Sequence, residues 1–166
     1  MDTMEEVTIN TTADAIKVIK EALESAVSLL TGNNKVGVKL LPTIEDYKLT
    51  HVKGVLGIIY SGCKYIEDED KKNSVVMRKR DILMGIVSII RFHDDPAEAK
   101  NIMLPSDYPE LAIDALAGIE VFNHRPAYEN KIVPLSTELV NENGGVWQYL
   151  TTFSIPTDFI EKIYRT

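Results

Sequence analysis

The sequence predicts an α+β domain: a mainly antiparallel or mixed β-sheet with a long central strand, two main helices and a short C-terminal helix. Three observations support this class. Apolar residues recur at helical spacing over 12–30 and again over 107–120. A long run rich in Val, Ile and Met covers 75–92, and two strand-like runs near the C-terminus are joined by Gly144 and Gly145. This order of elements favours helices packed on a sheet of hairpins.

The 166 residues are expected to form a single domain, in which residues 1–11 are a flexible N-terminal arm. The first helix is predicted over 12–30, because its apolar residues step by three and four along one face. Thr11 or Thr12 provides a plausible N-cap, and Gly32 a C-terminal stop.

Strands are predicted over 35–41 and 52–60, and residues 61–74 are predicted to form a solvated, charged loop. The run 75–92 is predicted to be one long strand. Its apolar residues fall on both faces, which is typical of a central strand covered on both sides.

A connection over 93–106 leads to the second helix, predicted over 107–120, and a loop over 123–131 follows. The next two runs, 135–140 and 146–155, predict a β-hairpin with residues 141–145 at its tip. Gly144 and Gly145 can adopt the positive φ that a tight hairpin turn needs. A short helix is predicted over 157–164, after Pro156.

The composition excludes several function classes. The chain has 25 acidic and 18 basic residues and a net charge of -7, so no specific recognition of nucleic acid is expected. The single cysteine, Cys63, cannot form an internal disulfide. The longest apolar run, 82–90, is far below the ~20 residues that span a bilayer, so no membrane association is expected. The N-terminus has no apolar core, and synthesis in a cytoplasm is expected.

No catalytic residue, cofactor or metal is expected, although two alternatives remain. His93, Asp94 and Asp95 resemble part of a metal-dependent hydrolase site, but a metal needs several convergent ligands and the chain has only two other histidines. Trp147 and Tyr149 are predicted to be structural anchors, with a ligand-binding pocket as the alternative. Under these alternatives the chain is a small ligand-binding or metal-dependent hydrolase domain.

Three blocks, taken in order, resemble the Mu-like phage and prophage tail protein family, whose members are tail-terminator-like. The first is residues 51–62, similar to the family's H-P-x-G and apolar strand, with Val52 in place of the proline. The second is the strand over 80–90, followed by a helix and then by His124-Arg125-Pro126. The third is residues 142–153, which contain G-V-W-x-Y.

The resemblance implies a structural protein of the virion tail, made in the bacterial host cytoplasm, and not an enzyme. Such a protein caps the tail tube and joins it to the head-proximal connector as a ring-forming homo-oligomer, commonly a hexamer. Its expected partners are further copies of itself, the tail tube and head–tail connector proteins. The polar loops are expected to carry the assembly contacts through Glu67, Asp68, Glu69, Asp70, His93, Asp94, Asp95, His124 and Arg125, with Trp147, Tyr149, Gly144 and Gly145 as structural anchors.

Overall fold

In the part of the chain that the structure describes, the fold consists of one five-stranded mixed sheet and two α-helices. The computed structural model describes residues 7–41, 53–66, 75–92, 102–123 and 127–162. Their elements, in chain order, are α1 (Thr12–Ser28), a 3-10 turn (Gly32–Asn34), β1 (Gly37–Leu40), β2 (Gly54–Ile66), β3 (Val75–Arg91), α2 (Asp107–Leu116), a second 3-10 turn (Ala127–Glu129), β4 (Val133–Asn143) and β5 (Val146–Lys162).

The strand order is β1-β2-β3-β5-β4, so β3 is the middle strand. β1 runs parallel to β2, and the other three neighbouring pairs are antiparallel. The predicted α+β class is confirmed.

Helix α1 begins at a capping box. The Thr11 hydroxyl accepts a hydrogen bond from the Asp14 backbone N–H at 3.1 Å. The Asp14 carboxylate accepts from the backbone N–H groups of Asn10 and Thr11, which lowers the pKa of Asp14. The predicted N-cap at Thr11 is confirmed, and the helix ends at Ser28, two residues before the predicted end.

Residues 7–11, which the sequence places in a flexible arm, pack on the domain instead. The Val7 backbone N–H donates to the Glu120 carbonyl at 3.0 Å, and the Val7 carbonyl accepts from Phe122 at 2.8 Å. Ile9 is 1% exposed. The Arg80 guanidinium donates to the Asn10 carbonyl at 2.8 Å. Burial of Ile9 and these bonds offset the entropy of ordering the segment.

The main core lies between the sheet and the two helices, on a side that we call the helix face. Residues paired across neighbouring strands share a face, which places Leu56, Met84 and Phe153 together here. Their partners in this cluster come from both helices and from residue 9: Ile9, Ala15, Ile19, Leu23, Tyr108, Ala112 and Leu116.

The opposite face of the sheet carries a second, smaller core. Leu41, Val55, Val87 and Ile89 are its buried members. Leu41 lies directly over Gly57, where an added Cβ would approach the Leu41 Cδ1 atom to 2.2 Å. This second cluster explains why apolar residues alternate onto both faces of β3.

The predicted loop over 61–74 is wrong over residues 61–66, because β2 continues to Ile66. The pairing of β2 with β3 shifts register between Tyr60 and Gly62. A β-bulge inserts one residue and interrupts the two-residue alternation on which strand prediction depends. Residues 67–74 lie outside the described part of the chain.

The predicted helix over 157–164 is wrong over 157–162, because β5 continues to Lys162 opposite Val75. In the sequence, Pro156 indicated that the strand ends there and that a helix follows. Strand β4 begins opposite Ser154, so beyond that residue β5 has a ladder partner on only one side, where a proline is tolerated. Thr157 fixes the extension, because its hydroxyl accepts from Arg80 Nε at 3.0 Å.

Helix α2 ends at Leu116, before the predicted limit of 120. Ala117 is extended, and Gly118 has a φ of 86°. This left-handed conformation ends a helix and is cheapest for glycine. At the other end, the Tyr108 hydroxyl donates to the Asn34 carbonyl at 2.9 Å and ties α2 to the 3-10 turn before β1.

Because of Tyr108, the free energy of unfolding should fall as the pH rises into the alkaline range. Burial, and secondarily the charge of Asp107, raise the pKa of Tyr108 from 10.0 to about 12. The folded chain therefore keeps the phenol proton to higher pH than the unfolded chain. This stabilising contribution is complete below pH ~10 and is lost as the pH rises toward 12.

The measurement is urea unfolding between pH 9 and pH 11.5 for the native chain and for Tyr108→Phe. We expect the free energy of unfolding to fall more steeply with pH in the native chain. Equal slopes would contradict this assignment. Because Tyr108→Phe also removes the hydrogen bond to Asn34, it should cost about 1 kcal/mol at pH 7.

Candidate interaction surfaces

The polar residues predicted to form assembly contacts cannot be placed. Glu67, Asp68, Glu69, Asp70, His93, Asp94, Asp95, His124 and Arg125 all lie outside the described residues. Within the described ranges, no group of three or more His, Cys, Asp or Glu side chains is arranged to hold a metal ion. The hydrolase alternative depends on His93, Asp94 and Asp95, so it stays a prediction.

The predicted glycine hairpin is confirmed, with a tighter turn than expected. Strand β4 ends at Asn143 and β5 starts at Val146, so only Gly144 and Gly145 form the turn. Their φ angles are 58° and 81°, as a two-residue type I′ turn requires. The Glu142 carboxylate accepts from the Gly145 backbone N–H at 3.1 Å and braces the turn.

This turn lies beside the end of β3, and the start of β2 lies on the other side of that strand. The Phe92 backbone N–H donates to the Gly145 carbonyl at 2.8 Å, and the Arg91 N–H donates to the Lys53 carbonyl at 2.7 Å. The Lys53 ammonium lies 5.4 Å from the centre of the Phe92 ring. Burial lowers the pKa of Lys53. Parts of the first and third resembling blocks therefore lie on either side of the end of β3, at one end of the sheet.

Trp147 and Tyr149 lie on the helix face near this end. Trp147 is opposite Ile90, and Tyr149 is opposite Ser88. Both side chains are half-buried. Their strand neighbours on the other side, in β4, are Glu142 and Leu139. The role of both residues as structural anchors stays a prediction.

A shallow groove of about 340 Å³ lies between α1 and the segment after α2. Its lining is apolar apart from Ser25 and two glutamates: Val7, Val18, Glu21, Ala22, Ser25, Ile119 and Glu120. Neither Trp147 nor Tyr149 lines it. Lys131 Nζ lies 3.9 Å from Glu120 Oε1, so one of the two glutamates that line the groove already has a cationic neighbour. The groove therefore does not provide the pocket that the ligand-binding alternative places at Trp147 and Tyr149.

Strand β4 carries four exposed large apolar residues, Val133, Leu135, Leu139 and Val140. It lies at the edge of the sheet, and ten of its 11 residues are exposed. Leu135 is 56% exposed, Leu139 52% and Val140 45%. Apolar side chains concentrated on an open strand edge mark a surface that another chain can cover.

The sequence predicted that residues 135–140 form a strand, but it did not predict that this strand is exposed at the edge of the sheet. Residues 135–140 have the apolar, β-branched composition of an ordinary strand, which is compatible with burial on either side. Exposure depends on strand order, and β4 reaches the edge because β5 is inserted between it and β3. No local pattern in the sequence reports that insertion.

Comparison with known proteins gives no family assignment. No family model matches the chain, and no curated protein is significantly similar to it. Neither helix of the described residues has the length and apolar character needed to cross a membrane.

Proposed function

We propose that this chain is a structural subunit of a phage or prophage tail, resembling a tail terminator. In this role it caps the tail tube as a ring-forming homo-oligomer and joins the tube to the head-proximal connector. It acts through protein–protein contacts, without a cofactor or catalytic group, and is located in the virion tail.

The observation that carries the proposal is the open edge of β4. A strand with Leu135, Leu139 and Val140 about half exposed is a liability for a protein that remains alone, since unpaired strand edges invite association. In an assembly subunit the same edge is a contact surface. The β4–β5 pairing and the braced Gly144–Gly145 turn hold that surface in one conformation.

The middle strand gives the proposed subunit a rigid frame. β3 pairs with β2 on one side and with β5 over all 17 of its residues on the other. Load on either edge of the sheet would be carried through this ladder, which suits a subunit placed between tube and head. This mechanical role is part of the proposal.

The test is solution mass, measured by light scattering over a concentration series, with and without the tail-tube protein encoded in the same genome. We expect either a ring mass or an oligomer that forms only when the tube protein is added. A monomer at all concentrations, unaffected by the tube protein, would overturn the proposal.

A pair of matched variants ties this test to the edge. Leu139→Arg places a charge among the exposed apolar residues of β4 and should abolish the oligomer. Leu29→Arg makes the same change at a residue that is 81% exposed at the end of α1, and should leave the mass unchanged. Equal behaviour of the two variants would remove β4 from the assembly surface.

A further inference from the structure

The two outer edges of the sheet match each other in length, direction and side chains. We propose that residues 137–139 in β4 of one copy pair antiparallel with residues 38–40 in β1 (Gly37–Leu40) of a second copy, so that the sheet continues between subunits. This contact rests on the proposed function, because it supplies the subunit interface of the proposed ring.

The lengths of the two edges agree. Register shifts interrupt β4 between Pro134 and Ser136 and again between Leu139 and Asn141. Bulges bend a strand and interrupt its pairing, so the regular stretch available to another strand is 136–139. β1 is also four residues long, and residues 38–40 of it can lie opposite 137–139. Among the described residues, no strand pairs with the outer edge of either β1 or β4.

The strand directions also agree. Three antiparallel pairings and one parallel pairing leave β1 and β4 running in opposite directions at the two edges. When a second copy is placed beside the first without turning its sheet over, its β1 therefore runs antiparallel to β4. Its helices remain on the same side as those of the first copy. The contact uses two different edges, so it is heterologous and can close into a ring.

Apolar side chains select the register on the helix face. Leu40 is paired with Ile58 and Thr137 with Thr151, which places Leu40 and Thr137 on that face in their own copies. With Leu40 opposite Thr137, Leu139 comes opposite Val38. Leu40 is 53% and Leu139 52% exposed in the single chain, and this register covers both.

Charged side chains agree with the same register on the opposite face. It brings Glu138 of one copy across from Lys39 of the next, both exposed in the single chain. Oppositely charged cross-strand neighbours stabilise a pair of strands. Pairing β4 with a second β4 would instead bring together two strands that each carry Glu138 and Glu142 and contain no basic residue. Charge therefore favours the contact between two different edges.

The test is disulfide cross-linking of Leu40→Cys/Thr137→Cys with oxidised glutathione, with and without tail-tube protein. All variants carry Cys63→Ser, so the native thiol cannot react. We expect a ladder of covalent oligomers that reductant reverses. Each single variant should stay uncrosslinked, and a mixture of the two single variants should give dimers only, because each copy then offers one reactive edge.

The matched control is Leu40→Cys/Ser136→Cys. Ser136 lies next to Thr137 but on the opposite face of the sheet, so its Cβ points away from residue 40 of the next copy. We expect about tenfold less cross-linking than in the Thr137→Cys pair. Circular dichroism of every variant verifies that the fold is retained.

Each further outcome decides the question. A ring mass by light scattering without any ladder overturns this interface and leaves the proposed function standing. Dimers formed by a single variant overturn it in favour of a symmetric contact. A monomer that forms no cross-link even with tube protein overturns both the interface and the proposed function.

Discussion

Phe153→Ala should destabilise the fold by about 4 kcal/mol, the largest effect that we expect from one substitution. Phe153 is fully buried in the helix-face core, opposite Met84 in β3 and Pro134 in β4. Its truncation removes apolar contacts and leaves a cavity between three strands and the helices. Because the strands are held by long ladders, they cannot close the space.

Urea unfolding followed by circular dichroism measures this change. Phe122→Ala is the matched control, since Phe122 is 61% exposed and contributes its backbone N–H, which alanine keeps, to the bond with Val7. We expect the control to change the free energy of unfolding by no more than about 0.5 kcal/mol. A loss below about 1 kcal/mol for Phe153→Ala would show that the core is looser than the burial implies.

Gly54→Ala should destabilise the fold by about 3 kcal/mol. A Cβ at position 54 would lie 2.2 Å from the Ile89 carbonyl oxygen and 3.0 Å from the Ile90 Cα atom. Both are backbone atoms of β3, so no side-chain rotation relieves the clash. Packing thus explains why position 54, in the first resembling block, is a glycine: β2 and β3 approach too closely there to leave room for a side chain.

Gly144→Asn is the control for this glycine. Gly144 has a φ of 58°, and an added Cβ meets nothing within 4 Å. Asparagine tolerates this left-handed conformation and is common in two-residue turns, so stability should stay within about 0.5 kcal/mol of the native value. Thermal unfolding of both variants makes the comparison. An unaffected Gly54→Ala protein would mean that β2 and β3 separate at this end without cost.

Local signals predicted the parts of the fold that local chemistry determines. Thr11 indicated the start of α1, because a threonine side chain can accept from the backbone N–H groups at a helix start. Gly144 and Gly145 indicated the hairpin, because few other residues adopt the positive φ angles of a two-residue turn. The α+β class followed from these elements and from helical and strand periodicity.

The errors have non-local causes. The bulge near Gly62 breaks the alternation of β2, and only pairing with β3 keeps that segment extended. Pro156 resembles a stop, yet β3 continues to pair with the chain beyond it. The candidate surface on β4 depends on strand order, so the sequence supplied its residues without their exposure. The polar loops expected to make contacts lie outside the described residues and stay predictions.

The pairing of β3 with β5 also has a consequence for how the chain folds. This ladder joins residue 91 to residue 146 and residue 75 to residue 162, across α2 and all of β4. Such distant pairing carries a high contact order, and chains of this kind fold slowly, on the scale of milliseconds to seconds. We expect the β4–β5 hairpin to form early and to dock on β3 late, which pulse-labelled hydrogen exchange of the two ladders would resolve. A newly made chain would then pass through a stage in which the apolar hairpin is exposed on more sides than in the finished subunit, and self-association at that stage would compete with folding.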